Sequence, residues 1–269
     1  RYEITPLEGL QNKFGDRMEI DFAPGYREAF VIADTGGRRP YRYPNPLPND
    51  SLIAEAVETA GNADYVLLFV GNPRSVETDG SDRESLTLPF GQDSLIRAVT
   101  AVNPNNAIIV VAGAACDLNT ADRHSNALIC AWYNGSESGP ALADVLSGDI
   151  NPSGKLPFTL PAKLEDIGAH AIDRETYPGV SGTVRYKEGI LVGYRWLDTK
   201  NIEPAWCFGH GLSYTTFEVQ DAKTHKTAYN SDEIIKLSVD LKNTGNLAGK
   251  ETVQVYVSNA GLRPRWGRH

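Results

Sequence analysis

The segment Asp64-Tyr-Val-Leu-Leu-Phe-Val70 decides the fold class, because successive residues from Tyr65 onward are apolar and both faces of a strand would therefore be apolar. A strand of this kind belongs inside a parallel sheet that helices cover on both sides. Residues 107–112 and 127–133 form two further apolar runs, and amphipathic helical segments alternate with the three runs. The pattern predicts an α/β fold with a doubly wound, mostly parallel sheet, in which 65–70, 107–112 and 128–132 are adjacent strands.

The segments on either side of this core carry weaker signals. Residues 30–33 are apolar and add a possible strand, and residues 36–48 form a polar, proline-rich loop of a length typical of active-site or interface loops. Further on, residues 235–241 and 252–257 alternate between apolar and polar side chains around a turn at 243–246. This alternation predicts a partial antiparallel β module. We expect its inward-facing side chains to be Leu237, Val239, Leu241, Val253, Val255 and Val257.

Composition and charge narrow the class of function. Of the 269 residues, 41% are hydrophobic and 22% are charged, which is typical of a globular domain. A formal net charge of -8 disfavours nucleic acid and anionic membranes as partners, and no apolar run approaches the roughly 18 residues of a membrane span. The 3 cysteines and 5 histidines lack the spacing of a disulfide framework or a metal site. We therefore expect a neutral substrate and no metal or cofactor. Because the chain opens without a methionine, we also expect it to be part of a longer protein.

The loop that follows the first predicted strand is rich in carboxylates. It contains Glu77, Asp79, Asp82 and Glu84, with Arg83 among them. Loops at the carboxyl ends of parallel strands carry ligand-facing groups, and crowded carboxylates can raise one pKa, as general-acid chemistry requires. The same composition also fits a solvated acidic loop with no chemical role.

Five blocks of the sequence carry recognisable motifs. The first, Glu77-Thr-Asp-Gly-Ser-Asp-Arg83, is similar to the acid/base loop of family 3 glycoside hydrolases, whose usual form is Glu-x-Glu-Gly-x-Asp-Arg. Four further blocks follow in the family's order: Trp132-Tyr-Asn-Gly-Ser-Glu-Ser-Gly139, Gly148-Asp-Ile-Asn-Pro-Ser-Gly-Lys-Leu-Pro157, Tyr186-Lys-Glu-Gly-Ile-Leu-Val-Gly-Tyr-Arg195 and Phe208-Gly-His-Gly-Leu-Ser-Tyr-Thr-Thr-Phe217.

The resemblance implies a division of labour between domains. It assigns residues 1–215 to an α/β sandwich domain and residues 216–269 to a partial fibronectin III-like module, and it places the aspartate nucleophile on an N-terminal barrel that this chain lacks. Glu77 falls on the glutamate that serves as acid/base in many members. Asp79 is the runner-up, because it stands where a second glutamate is common. Asp82 and Arg83 match a pair that shapes the loop.

Three aromatic side chains are candidates for contacts with a sugar. Tyr41 and Tyr43 lie in the proline-rich loop, and Trp132 lies at a predicted strand end. Aromatic rings stack on the apolar faces of sugars, but a tryptophan at such a position is more often a packing residue. Both interpretations stay open.

The sequence is compatible with three functions. The first is part of a retaining β-glucosidase that hydrolyses terminal, non-reducing β-linked sugars, with β-xylosides and N-acetylglucosaminides as alternative substrates. The second is a non-catalytic module that binds carbohydrate or another chain, and the third is an inactive fragment of an enzyme. Because the nucleophile is missing, we expect the chain alone to hydrolyse little. The resemblance favours a secreted or periplasmic location.

Overall fold

The computed structural model describes residues 2–33, 41–79 and 82–257. The strands, in chain order, are β1 Phe30–Ala33, β2 Tyr41–Pro44, β3 Val66–Gly71, β4 Asn106–Val111, β5 Ala127–Cys130, β6 Phe217–Thr224 and β7 Leu237–Asn243. The helices are α1 Pro6–Phe14, α2 Asp50–Gly61, α3 Gln92–Val102, α4 Asn119–His124, α5 Ser138–Leu146, α6 Gly168–Ala171 and α7 Tyr194–Lys200. Within these ranges no helix has the length and apolar character needed to cross a bilayer.

A three-stranded parallel sheet in the order β3-β4-β5 forms the centre of the fold. On one face, Val70 and Ile108 pack in a core that includes Leu95 of α3. On the other face, Ile109 packs against Leu142 of α5. Helices pack on both faces of the sheet, which accounts for the continuous apolar runs of the strands. The predicted order, direction and helical cover of the three strands are confirmed.

The end of β3 is fixed by a buried glutamine. Gln92, the first residue of α3, has no exposed surface and makes two hydrogen bonds with Gly71. Its Nε2 donates to the Gly71 carbonyl oxygen at 2.8 Å, and its Oε1 accepts from the Gly71 N–H at 2.7 Å. Gly71 has φ of +140°, and a Cβ there would lie 2.0 Å from the carbonyl oxygen of Val111 on β4. Only glycine fits at this point, where the chain leaves the sheet.

The predicted strand at residues 30–33 forms, but it does not join the central sheet. It is β1, and it pairs antiparallel with β2, where Val31 lies opposite Tyr43. Part of the expected loop 36–48 is therefore a strand. A local partner satisfies the backbone groups of β1 without a place in the central sheet.

The β module differs from its prediction. The segment expected at 235–241 forms as β7, but its partner is β6 and not residues 252–257, which are not a strand. The expected inward packing is wrong, since Leu237 and Leu241 are 41% and 40% exposed and Val257 is 88% exposed. Two strands without a second layer have no apolar surface to pack against. The fibronectin III-like assignment of 216–269 stays a prediction, as do both domain boundaries, and residues 258–269 lie outside the described residues.

Candidate active site

Glu77 lies where the carboxyl ends of the three parallel strands meet. Its Oε1 accepts a hydrogen bond from Asn72 Nδ2 at 2.6 Å, and its Oε2 accepts from the Gly113 N–H at 2.6 Å and from the Tyr133 hydroxyl at 2.7 Å. A guanidinium nitrogen of Arg83 lies 3.6 Å from Oε1. Only 11% of the Glu77 side chain is exposed. Both carboxylate oxygens are therefore occupied by donors.

These contacts favour the charged form of Glu77. Partial burial by itself raises the pKa of this carboxyl, but hydrogen bonds from Tyr133, Asn72 and Gly113, together with the charge of Arg83, outweigh it and lower the pKa below its ordinary value. The pKa of Glu77 is therefore shifted in the opposite direction to the rise that crowded carboxylates can cause. Donors surround this group, and each donor stabilises the anion.

Asp79 has a different environment two residues further along the loop. Its side chain is exposed, and in the described part of the chain no hydrogen bond or ion pair engages its carboxylate. A carboxyl in this situation can contact a group supplied from outside the chain.

Asp82 and Arg83 tie the loop to other segments. Arg83 donates to the carbonyl oxygen of Ala115 at 2.7 Å, besides facing Glu77, and Asp82 Oδ2 accepts from the Tyr177 hydroxyl at 2.6 Å. These contacts support the predicted loop-shaping role.

The three candidate aromatic residues are not brought together at Glu77. Trp132 is partly buried and packs edge-to-face on Phe158, with ring centroids 5.6 Å apart. It also borders an open groove of about 730 Å³ that Tyr2 and Tyr133 line. Tyr43 lies on β2 and is 37% exposed, while the side chain of Tyr41 lies outside the described residues. A role in sugar contacts stays a prediction for all three.

Sequence reasoning missed three groups that hold Glu77, namely Asn72, Gly113 and Tyr133. Each follows one of the three strands within three residues. Their position just after the strands was the only available sign in the sequence, because residues that follow parallel strands share one edge of the sheet.

Across the described ranges, no three His, Cys, Asp or Glu side chains are grouped as metal ligands.

Fold and site together define an α/β sandwich domain with a carboxylate-bearing loop at its strand ends, as in glycoside hydrolases. The chain belongs to glycosyl hydrolase family 3, since the model of that family's C-terminal domain matches residues 1–194.

The relatives found by sequence and by structure agree with this assignment. Beta-glucosidase BoGH3A of Bacteroides ovatus is 43% identical over 97% of this chain and 34% of its own length. Thermostable beta-glucosidase B of Acetivibrio thermocellus is 42% identical over 95% of this chain and 32% of its own length. The crystal structure of a Bifidobacterium adolescentis GH3 beta-glucosidase superposes with a TM-score of 0.73 and 33% identity, over 94% of this chain and 37% of that one. The structure of DesR, a beta-glucosidase from Streptomyces venezuelae in complex with D-glucose, gives a TM-score of 0.66 and 39% identity, over 73% of this chain and 24% of that one.

The chain spans about a third of the length of the first two curated relatives, at 34% and 32%.

Proposed function

We propose that the chain is the part of a retaining β-glucosidase that supplies the general acid/base carboxylate for hydrolysis of terminal β-linked glucosides. The relatives' names and the D-glucose bound to one of them support a glucoside as substrate. The carboxylate-bearing loop at the carboxyl ends of β3, β4 and β5 supports the site. The remaining two thirds of the relatives' length leaves room for the barrel and the nucleophile.

The different environments of the Glu77 and Asp79 carboxyl groups decide which of them we propose as the proton donor. A general acid must hold a proton, release it to the glycosidic oxygen and then take one from water. Glu77 is poorly suited to this cycle, because a proton added to either carboxylate oxygen would face a donor that already binds that oxygen. Asp79 is exposed and unengaged in the described part of the chain. We therefore favour Asp79 as acid/base, and Glu77 remains the alternative that the family resemblance suggests.

The proposed reaction has two steps. First, the nucleophile on the other domain attacks the sugar while Asp79 protonates the departing oxygen. The same carboxylate then acts as base and activates the water that hydrolyses the glycosyl-enzyme. In retaining enzymes the two carboxyl groups lie about 5 Å apart, so the loop must reach over the cleavage site.

The test uses the full-length enzyme with Asp79→Asn, Glu77→Gln and, as a matched control, Glu84→Gln on the same loop. Asp79→Asn should lower turnover of a disaccharide on the order of a hundredfold and turnover of a nitrophenyl glycoside much less, because only the poor leaving group needs the proton. Added azide should restore part of the lost turnover, since it attacks the glycosyl-enzyme without a base. If this pattern appears with Glu77→Gln while Asp79→Asn is silent, the acid/base role belongs to Glu77. If neither variant discriminates between leaving groups, the proton comes from elsewhere.

Comparing β-glucosides with β-xylosides in the same enzyme tests the substrate class. We expect the glucoside to have the higher kcat/KM. A higher kcat/KM for the xyloside would make β-xylosides the proposed substrate class and would leave the proposed role of the loop unchanged.

A second candidate function rests on the groove beside Trp132. Three aromatic side chains, those of Tyr2, Trp132 and Tyr133, line it together with polar residues such as Asn134 and Ser136. Aromatic and polar groups combined in this way suit a sugar, so the chain could bind carbohydrate without catalysing its hydrolysis. Titration of the isolated chain with glucose and a gluco-oligosaccharide, followed by tryptophan fluorescence, tests this function. Unchanged tryptophan fluorescence at millimolar sugar would exclude this binding function.

A further inference from the structure

We infer that Glu77 is the centre of an anionic clamp that joins the carboxyl ends of the three parallel strands and fixes the loop carrying Asp79. The strand-end clamp consists of Asn72, Glu77, Gly113 and Tyr133. Its consequence for catalysis rests on the proposed function, but its existence does not. Glu77 is then a positioning residue.

The clamp takes one donor from each strand. Asn72 is the first residue after β3, Gly113 the second after β4 and Tyr133 the third after β5. Gly113 and Tyr133 are 36 and 56 residues from Glu77 in sequence. One side chain thus links three separate connections of the fold, so its position is set by the whole sheet edge and not by the loop alone.

Tyr133 also connects two other members of the clamp to each other. The Tyr133 hydroxyl reaches the backbone carbonyl oxygen of Asn72 at 2.6 Å as well as Glu77 Oε2, so its single proton is shared between two acceptors. Trp132, just before it, has φ of 57°, a conformation that is rare for a bulky residue, and this turn precedes the tyrosine that reaches Glu77.

Steric requirements at Gly113 point to the same arrangement. A Cβ at this position would lie 2.9 Å from Glu77 Oε2 and 2.7 Å from the ring of Tyr133. A side chain would therefore push apart the two groups that the Gly113 N–H helps to join. The absence of a side chain at Gly113 allows the carboxylate to approach the backbone.

The groups around the clamp favour the anionic form of Glu77. Arg83 is the cation that faces it. Burial, the hydrogen bond to Glu77 and the charge of Glu77 raise the pKa of Tyr133, and burial raises the pKa of the nearby Cys116 thiol to about 11, so both stay neutral near pH 7. Asn72 Nδ2 donates to Cys116 Sγ at 3.1 Å as well as to Glu77. Among the residues that the structure describes, every partner of Glu77 is therefore a donor or a cation.

This pattern makes glutamine a poor substitute for Glu77. A glutamine has one acceptor oxygen and one NH₂ group, so its NH₂ would face either the Asn72 amide donor or the Gly113 N–H and Tyr133 hydroxyl. The substitution keeps size and shape but sets a donor against a donor. Glu84→Gln makes the same chemical change on an exposed side chain of the same loop and is the matched control.

The test of the clamp is independent of activity and uses the 269-residue chain. Amide hydrogen exchange at Gly113 should be roughly tenfold faster or more in Glu77→Gln than in the parent chain, and unchanged in Glu84→Gln. In NMR spectra with ring-labelled tyrosine, the Tyr133 resonance, assigned through Tyr133→Phe, should titrate at lower pH in Glu77→Gln. Unchanged Gly113 exchange together with an unchanged Tyr133 titration would overturn the clamp.

Tyr133→Phe keeps the test decisive if Glu77→Gln does not fold. It removes one donor and leaves Asn72 and Gly113 in place, so the pKa of Glu77 should rise and protection of the Gly113 amide should be lost at a higher pH than in the parent chain. No change in either quantity would count against the clamp.

The positioning role is tested separately in the full-length enzyme by the pH profile of kcat/KM. Asp79→Asn should remove the limb of the profile that reports the acid/base group, whereas Glu77→Gln should lower the rate and keep that limb. If Glu77→Gln removes the limb, the proposed assignment to Asp79 fails even where the exchange data support the clamp. If Glu77→Gln opens the clamp and leaves kcat/KM unchanged, the clamp stands and its positioning role fails.

Discussion

The central sheet and the β6-β7 hairpin are both built from apolar β segments, yet only the sheet is buried. Ile108 and Ile109 of β4 have no exposed surface, whereas Leu237 and Leu241 of β7 are each about two-fifths exposed. This difference in exposure is due to packing and not to composition. Helices cover both faces of the sheet, whereas the described structure gives the hairpin no such cover. The candidate site depends on this difference. Its residues sit on connections whose ends are held by buried strands.

The largest expected effect compares a core position with a hairpin position. Ile108→Ala should lower the free energy of unfolding by about 2–5 kcal/mol, since it leaves a cavity between packed layers. Leu237→Ala should lower it by less than about 1 kcal/mol, because two-fifths of that residue is already exposed to water and no packed layer covers it in the described structure. Urea unfolding of both variants provides the measurement. Similar losses for the two would mean that the hairpin is buried in solution and that the comparison is false.

A smaller effect is expected where the sheet meets the site. Gln92→Leu removes both hydrogen bonds to Gly71 and leaves its backbone N–H and carbonyl buried without partners, at a cost of about 2–3 kcal/mol. Gln220→Ala, on the hairpin, removes only a bond to the exposed Glu218 and should cost about 0.5 kcal/mol or less.

Gln92→Leu should also loosen the start of the loop that carries Asn72 and Glu77. Faster amide exchange at Asn72 in this variant, with exchange in β7 unchanged, is the expected result. If the two glutamine variants have equal stability, Gln92 does not anchor the loop.

The sheet was predictable from sequence and the clamp was not, for a physical reason. Continuous apolar runs report burial on both faces, and that property is local to each strand. The environment of Glu77 depends on Gly113 and Tyr133, which are distant in sequence and carry no local sign of their contact. The same limit explains the error in the β module. Strict alternation at 252–257 suggested a strand, but the partner of β7 is the less regular segment Phe217–Thr224.

The smallest expected effect compares two carboxylates whose pKa values are both lowered, one in each region. For Glu233, beside the hairpin, the cause is a hydrogen bond from the exposed Lys226, followed by one from the backbone of Asn230. For Glu77, burial opposes the shift and the donors of the strand-end clamp produce it.

Lowering the pH should affect the two carboxylates in the same direction, but added salt should change the pKa of one much more than that of the other. A lowered pKa means that each carboxylate stabilises the fold above its ordinary pKa, and that this stabilisation is lost as the pH falls through the lowered value. Salt screens an exposed ion pair far more than hydrogen bonds at a mostly buried group, since the Debye length falls to about 3 Å at 1 M. Carboxyl-labelled NMR titrations at low salt and at about 1 M salt should therefore move the pKa of Glu233 toward its ordinary value and leave that of Glu77 nearly in place. Equal shifts for the two would indicate that Glu77 is held by the charge of Arg83 and not by its three hydrogen bonds. That result would contradict the clamp and favour Glu77 over Asp79 as the proton donor.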